Sequence, residues 1–151
     1  MGRWLVLCLL LLLALAACGG GADTTQPPEI LYGQDVCDEC DMIISEEKYA
    51  AAYWTAEGEA RRFDDVGEML VFMADNREPT ASVWVHDINS AEWLLAEEAW
   101  FVMNSGLRTP MGTGIAVTAD VSLWIDKAPP GRSSGTSMRT GAGSESVMIP
   151  P

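Results

Sequence analysis

Both ends of this 151-residue chain have compositions that a packed domain cannot use, and that limits its fold more than any single motif. Leu5 to Leu13 is an unbroken apolar run preceded by Arg3 and closed by the small residues Ala14, Ala16 and Ala17. It is too short for a permanent membrane span and has the layout of a signal peptide over 1–17. The run ends in Leu15-Ala16-Ala17-Cys18-Gly19, the pattern of a bacterial lipobox. Cleavage would leave Cys18 first, its sulfur carrying a diacylglycerol with palmitate-like chains. Each buried methylene adds about 0.8 kcal/mol of membrane affinity, so several chains hold firmly. An ordinary signal peptide with an incidental cysteine is the plainer alternative.

Residues 18–28, from the glycine triplet to Pro27-Pro28, read as a flexible tether. At the other end, 128–151 is dominated by Pro, Gly, Ser and Thr, with almost no aliphatic side chain before Val147. Too little apolar surface is available to offset ordering entropy, so a disordered tail is expected. What remains, 29–127, is a single domain of about one hundred residues with a modest core. The formal charge is −13, and removal of Arg3 with the leader makes it one unit more acidic. Such a balance argues against nucleic acid and against electrostatic attachment to anionic lipid. It suits metal cations and basic partner surfaces, or solubility alone.

Inside the domain, Lys48 to Thr55 reads as a strand, Glu57-Gly58 as a turn, and Glu59 to Phe63 as the returning strand of a hairpin. Asp65 is placed to cap a helix, with Glu68 three residues on completing a capping box. Val66, Leu70 and Met73 recur at helical spacing with Met69 beside them, and the helix should stop near Asp75-Asn76. Further strands are expected at Ser82 to His86, around Trp93, at Ala99 to Met103 and at Gly114 to Ala119. The fold class is therefore α+β, a small single domain with a mostly antiparallel sheet and one helix. Trp84, Trp93 and Trp100 fall in strands and are expected in the core.

With Cys8 in the leader and Cys18 at the lipobox, two of the four cysteines remain: Cys37 and Cys40, spaced C-x-x-C, with Met42 following. Three chemistries compete. Zinc wants four closed ligands, and one C-x-x-C with a solitary His86 is half a site. A redox pair wants a depressed thiol pKa, whereas Asp35, Asp38, Glu39 and Asp41 crowd this motif and disfavour the thiolate; a passive disulfide suits an oxidising compartment better. A soft-metal site matches thiolate and thioether sulfur to copper(I). Of the eight methionines, Met69 and Met73 have a helix face to fill, and Met138 and Met148 fall in the tail. Met111 lies in the turn-rich Thr109-Pro110-Met111-Gly112-Thr113-Gly114, where a long apolar side chain has little core to enter. Asp64 and Asp65 could form a carboxylate pair or docking patch, although a helix cap explains them better. His86 is a conceivable extra ligand. No nucleophile triad, phosphate-cradling loop or catalytic carboxylate pair is evident, so no enzyme is expected.

The run Cys37-Asp38-Glu39-Cys40-Asp41-Met42, followed by Phe63-Asp64-Asp65-Val66-Gly67-Glu68-Met69-Leu70, resembles the NosL family of lipoproteins. Trp84-Val85-His86-Asp87, Ala99-Trp100-Phe101-Val102 and Pro110-Met111-Gly112-Thr113-Gly114 are similar to that family's pattern in the same order. The resemblance implies a copper(I)-binding accessory protein in the cell envelope, facing the periplasm or cell exterior. It further implies delivery of copper for assembly of nitrous oxide reductase, with a membrane ABC transporter as intermediary. Residue by residue, Cys40 and Met42 match the family's C-x-M ligand pair and Met111 its later Met-Gly loop. Cys37 matches an additional cysteine present in only some members. The chain departs from the pattern after the Met111 loop, where Asp120 to Lys127 supplies only a stub of helix.

Two expectations separate the readings. A copper(I) carrier needs Cys40, Met42 and Met111 to converge. A thiol-disulfide protein needs only Cys37 and Cys40.

Overall fold

The computed structural model describes residues 21–103, 105–122 and 137–139. The leader expected over 1–17 and the lipidation site Cys18 lie outside the described residues. Among those described, seven strands, one α-helix and two short 3-10 turns make two antiparallel sheets, the α+β class read from the sequence.

The first sheet is built on the predicted hairpin. Strand β1 (Ala51–Thr55) turns through Gly58, whose φ of 85° a side chain would resist, into β2 (Ala60–Phe63). After the helix α1 (Val66–Asn76), β3 (Thr80–His86) pairs with the far side of β1, and β4 (Trp93–Leu95) with β3. The strand order is β2-β1-β3-β4.

Register explains the packing on each face. Ala51 sits opposite both Phe63 and Val85, so these three share a face with Tyr53, two residues on. All four are fully buried. Phe63 stacks on Tyr53 with ring centroids 5.8 Å apart and tilts against Phe72 of α1 at 5.3 Å, which identifies this as the helix-facing side. Ala52, opposite Arg62 and Trp84, belongs to the other face and is equally buried. The segment from Thr24 to Glu29 is fastened along this face. Trp54 Nε1 donates to the Gln26 carbonyl at 2.7 Å, Arg62 Nε to that of Glu29 at 2.7 Å, and Ser82 Oγ to that of Thr24 at 2.6 Å. Residues 24–28, expected within a flexible tether, are thus laid along the sheet. Pro27 and Pro28 favour the extended backbone that this docking needs, and Pro28 is fully buried.

Asp65 caps α1 as expected, its carboxylate accepting from Gly67 N at 2.8 Å. Glu68 does not complete a capping box. The helix ends at Asn76, with Arg77 left-handed at φ 51°. Its inward face differs from the predicted one. Val66 and Met69 are buried and Phe72 and Met73 pack against the core, while Leu70 is 40% exposed. Met69 lies three residues from Val66 and four from Met73, so these three share a stripe that leaves Leu70 on its outer flank.

The second sheet pairs β5 (Trp100–Val102) with β6 (Ala116–Thr118), matching Phe101 to Val117. Within the stretch read as a tail, Ser137–Arg139 adds β7 to the other edge of β5; the rest of 128–151 lies outside the described residues. The sheets are joined just past β3, where Ile88 N donates to the Val117 carbonyl at 2.8 Å and Ala119 N to the Asp87 carboxylate at 2.7 Å. Trp84, Trp93 and Trp100 lie in strands as expected but are only half-buried. The deep core is made instead of Tyr53, Phe63, Ile44, Met69 and Val85, with the small side chains of Ala50, Ala51 and Ala52 letting the layers approach closely.

Candidate metal centre

The C-x-x-C motif sits on a tight reversal before the first sheet. Val36 and Ile43 form an isolated antiparallel bridge. Inside it, Cys37 N donates to the Met42 carbonyl at 2.8 Å and Asp41 N to the Cys37 carbonyl at 3.1 Å. Closing so small a loop forces Asp41 into the left-handed region at φ 60°, which a short polar side chain tolerates better than most. The reversal is tied to the hairpin by Asp38, whose carboxylate accepts from Arg62 N and whose own N–H donates to the Arg62 carbonyl at 2.9 Å. Cys37 thereby points into the core, fully buried, while Cys40 is half-buried at its edge; both are free thiols.

The third member of the cluster comes from the end of β2. Asp64 is 3% exposed, and Cys40 Sγ donates to its Oδ1 at 3.6 Å. One donor atom from each of Cys37, Cys40 and Asp64 lies within 4.8 Å of the other two. Burial, with Cys37 and the Asp64 charge nearby, pushes the Cys40 thiol up to about 12. That is the opposite of what a redox nucleophile requires. The motif also begins no helix whose dipole could favour a thiolate.

Both predicted methionines reach the surface. Met42 is 45% exposed and, with Ile43, Ser45, Glu46, Asp64 and Pro110, lines an open cleft. Pro110 brings the predicted Met111 loop to the same place, and Met111 is 36% exposed. The loop is an ordered turn: Gly112 N donates to the Thr109 carbonyl at 3.0 Å and Gly114 N to Thr109 Oγ1 at 3.2 Å. It is docked on the start of α1 through Asp65, which accepts from Met111 N at 3.1 Å and from Thr113 Oγ1 at 2.6 Å. Motifs separated by some seventy positions in the chain thus meet around the Asp64-Asp65 pair.

His86 is elsewhere. Its Nδ1 lies 2.7 Å from the Ala91 carbonyl, which can only accept, so Nδ1 carries the proton and Nε2 accepts from Tyr32 Oη at 2.9 Å. Trp93 covers the ring at 3.7 Å between centroids, and burial holds the imidazole below its ordinary pKa. Both nitrogens are committed, and His86 is a core histidine rather than an extra ligand.

Sequence reasoning missed Asp64 as a donor beside the thiols and Asp65 as the post for the Met111 loop. The Asp-Asp pair was visible, and a helix cap accounts for half of it. Nothing local distinguishes the carboxylate that caps from the one that turns toward the cysteines.

The donor set fits a soft ion better than zinc. Two thiols and one carboxylate make three ligands, and no fourth His, Cys, Asp or Glu joins them among the described residues. Met42, which lines the cleft beside Asp64, adds a thioether to this face, and thioether sulfur selects for soft metals.

Comparison with known proteins places the chain by fold and by family. The NosL family model matches residues 28–121. The curated proteins offer no match. A crystal structure of the copper chaperone NosL from Shewanella denitrificans superposes with a TM-score of 0.61 at 20% identity, covering 76% of this chain and 92% of that one. That likeness speaks for the fold, and the family model, spanning hairpin, helix and both sulfur-bearing loops, speaks for descent: the chain belongs to the NosL family.

Proposed function

We propose that this protein is a lipid-anchored copper(I) carrier of the cell envelope that holds one ion as cargo and passes it on for assembly of nitrous oxide reductase. The observation that carries the reading is the joining of Cys37, Cys40 and Asp64 into one cluster whose outer face bears the exposed thioether of Met42 and the Met111 loop. Cys40, Met42 and Met111 would hold the ion, with Cys37 as a further thiolate and Asp64 as the nearest carboxylate. A related fold is known as a copper chaperone, which supports the choice of metal. The recipient and the intermediary ABC transporter rest on the family resemblance, and attachment through Cys18 rests on the lipobox.

The geometry suits transfer rather than storage. The Cys40 thiol is protonated before loading, because burial and neighbouring acid hold it up to about 12. Binding therefore releases protons, and apparent affinity rises with pH. Thioethers carry no proton, so Met42 and Met111 remain available at any pH. Because both are partly open to solvent, a recipient's sulfur can reach the ion before the buried thiolates release it. Thiol–disulfide chemistry, the alternative, would call for an accessible, acidic thiol, which Cys40 is not.

The test is an anaerobic copper(I) titration of the full chain in detergent against a competing chelator, beside Cys40→Ser and Met111→Leu. Tight one-to-one binding weakened by both substitutions supports the carrier site. Binding that ignores Met111, or no binding, sinks it. Attachment is read separately: Cys18→Ser should move the protein from the membrane to the soluble fraction.

A further inference from the structure

Asp65 is fully buried, yet it is engaged by more than the helix it caps. Its Oδ1 accepts from Gly67 N at 2.8 Å and from Thr113 Oγ1 at 2.6 Å, while its Oδ2 accepts from Met111 N at 3.1 Å. Two of these donors belong to a loop 46 and 48 positions away. Capping needs a single acceptor, which serine, threonine or asparagine supplies as well as aspartate. Only a carboxylate can accept along both oxygens at once. The helix is also cut to receive the loop at this point. A Cβ on Gly67 would lie 2.3 Å from Thr113 Cγ2, so only glycine admits the loop this close. The backbone N–H of Met111 itself is the group held by Oδ2, and the neighbouring residue of the chain, Asp64, lies against the cysteines.

We propose that Asp65 is a positioning residue for the metal site, holding the Met111 thioether over the Cys37–Cys40 pair by gripping the Met111 backbone. This rests on the copper(I) reading given above. Asp65 touches no metal. It acts through Met111, and one carboxylate thereby locks the start of α1 and the third sulfur ligand into a single unit. Loss of such an orienting partner characteristically costs about tenfold or more in metal affinity.

Asp65→Asn is the selective cut. Asparagine keeps one oxygen for Gly67 N and Thr113 Oγ1 but turns an NH2 toward Met111 N, where donor meets donor. The assay is chelator-competed copper(I) affinity of the full chain, measured for wild type, Asp65→Asn, Met111→Leu and the double variant. The Met111 methyl resonance is followed by NMR on metal addition. The expected result is about tenfold weaker binding in Asp65→Asn, a Met111 methyl that no longer shifts with copper(I), and no further weakening when Asp65→Asn is added to Met111→Leu. Equal loss in both backgrounds would mean that Asp65 matters only to general stability and overturns the proposal, as would unchanged affinity in Asp65→Asn. Thr113→Ala, which removes one grip and leaves the cap intact, should show the same dependence on Met111 in smaller degree; independence from Met111 there also overturns it. If wild type binds no copper(I), the carrier reading fails rather than this one alone.

Discussion

Substituting Gly67 by alanine tests the docking of the Met111 loop without touching a metal ligand, and the expected sign is opposite to the usual one. Gly67 is the second residue of α1 and has helical backbone, so in an open helix alanine would stabilise by at most about 1 kcal/mol. Here the added Cβ would meet Thr113 at 2.3 Å (Cγ2), 2.5 Å (Cβ) and 2.6 Å (Oγ1). Real Cβ atoms do not approach so closely, so either the helix start or the loop must move. Overpacking of this kind costs about 1–3 kcal/mol. The movement also breaks or stretches the Thr113–Asp65 hydrogen bond, a charge-assisted contact worth about 1.5–3 kcal/mol. Set against the helix gain, the net is a loss of about 3 kcal/mol, or roughly 15 °C in Tm for a domain of this size. Thermal and urea unfolding of wild type and Gly67→Ala measure it, with Thr113→Gly and the double variant completing a cycle. In the Thr113→Gly background the clash is gone, and Gly67→Ala should be neutral or mildly stabilising. A Gly67→Ala protein as stable as wild type would refute the close approach of loop and helix.

Phe63→Ala removes a fully buried ring packed against Tyr53 and Phe72 and should cost about 3–5 kcal/mol, read as a lowered urea midpoint. His86 makes stability pH-dependent. Burial holds its folded pKa below the ordinary value, so the unfolded chain takes up the proton first as pH falls. Stability is therefore fully present above about pH 6.5 and declines below it. His86→Gln should flatten that part of a urea-midpoint profile, and an unchanged slope would point to another group.

Local signals are legible in the sequence where the chemistry is local. Glu57-Gly58 marks its own turn, Asp65 its own cap, and alternation the strands that flank them. The C-x-x-C-x-M spacing puts three sulfurs on one reversal whatever surrounds it. The expected stripe through Leu70 differs from the observed one because a helical stripe at four-residue steps can pass through either Leu70 or Met69, and only the position of the sheet chooses. Residues 24–28 read as free in sequence because their backbone carbonyls accept from side chains 28 to 58 positions away, which leave no trace in local composition. For the same reason Asp65 was seen as a cap and not as the post for a loop 46 positions downstream. Met111 stands out in the sequence as a long apolar side chain in a turn-rich loop, and the family resemblance matches it to a ligand position; its backbone bond to Asp65 ties that loop to the start of α1.

Copper K-edge X-ray absorption of the protein loaded anaerobically with one equivalent of copper(I) tests the central claim most directly. The account predicts a first shell dominated by sulfur, reduced by one scatterer in Met111→Leu. A shell of nitrogen and oxygen, or a sulfur shell identical in the two proteins, would contradict it.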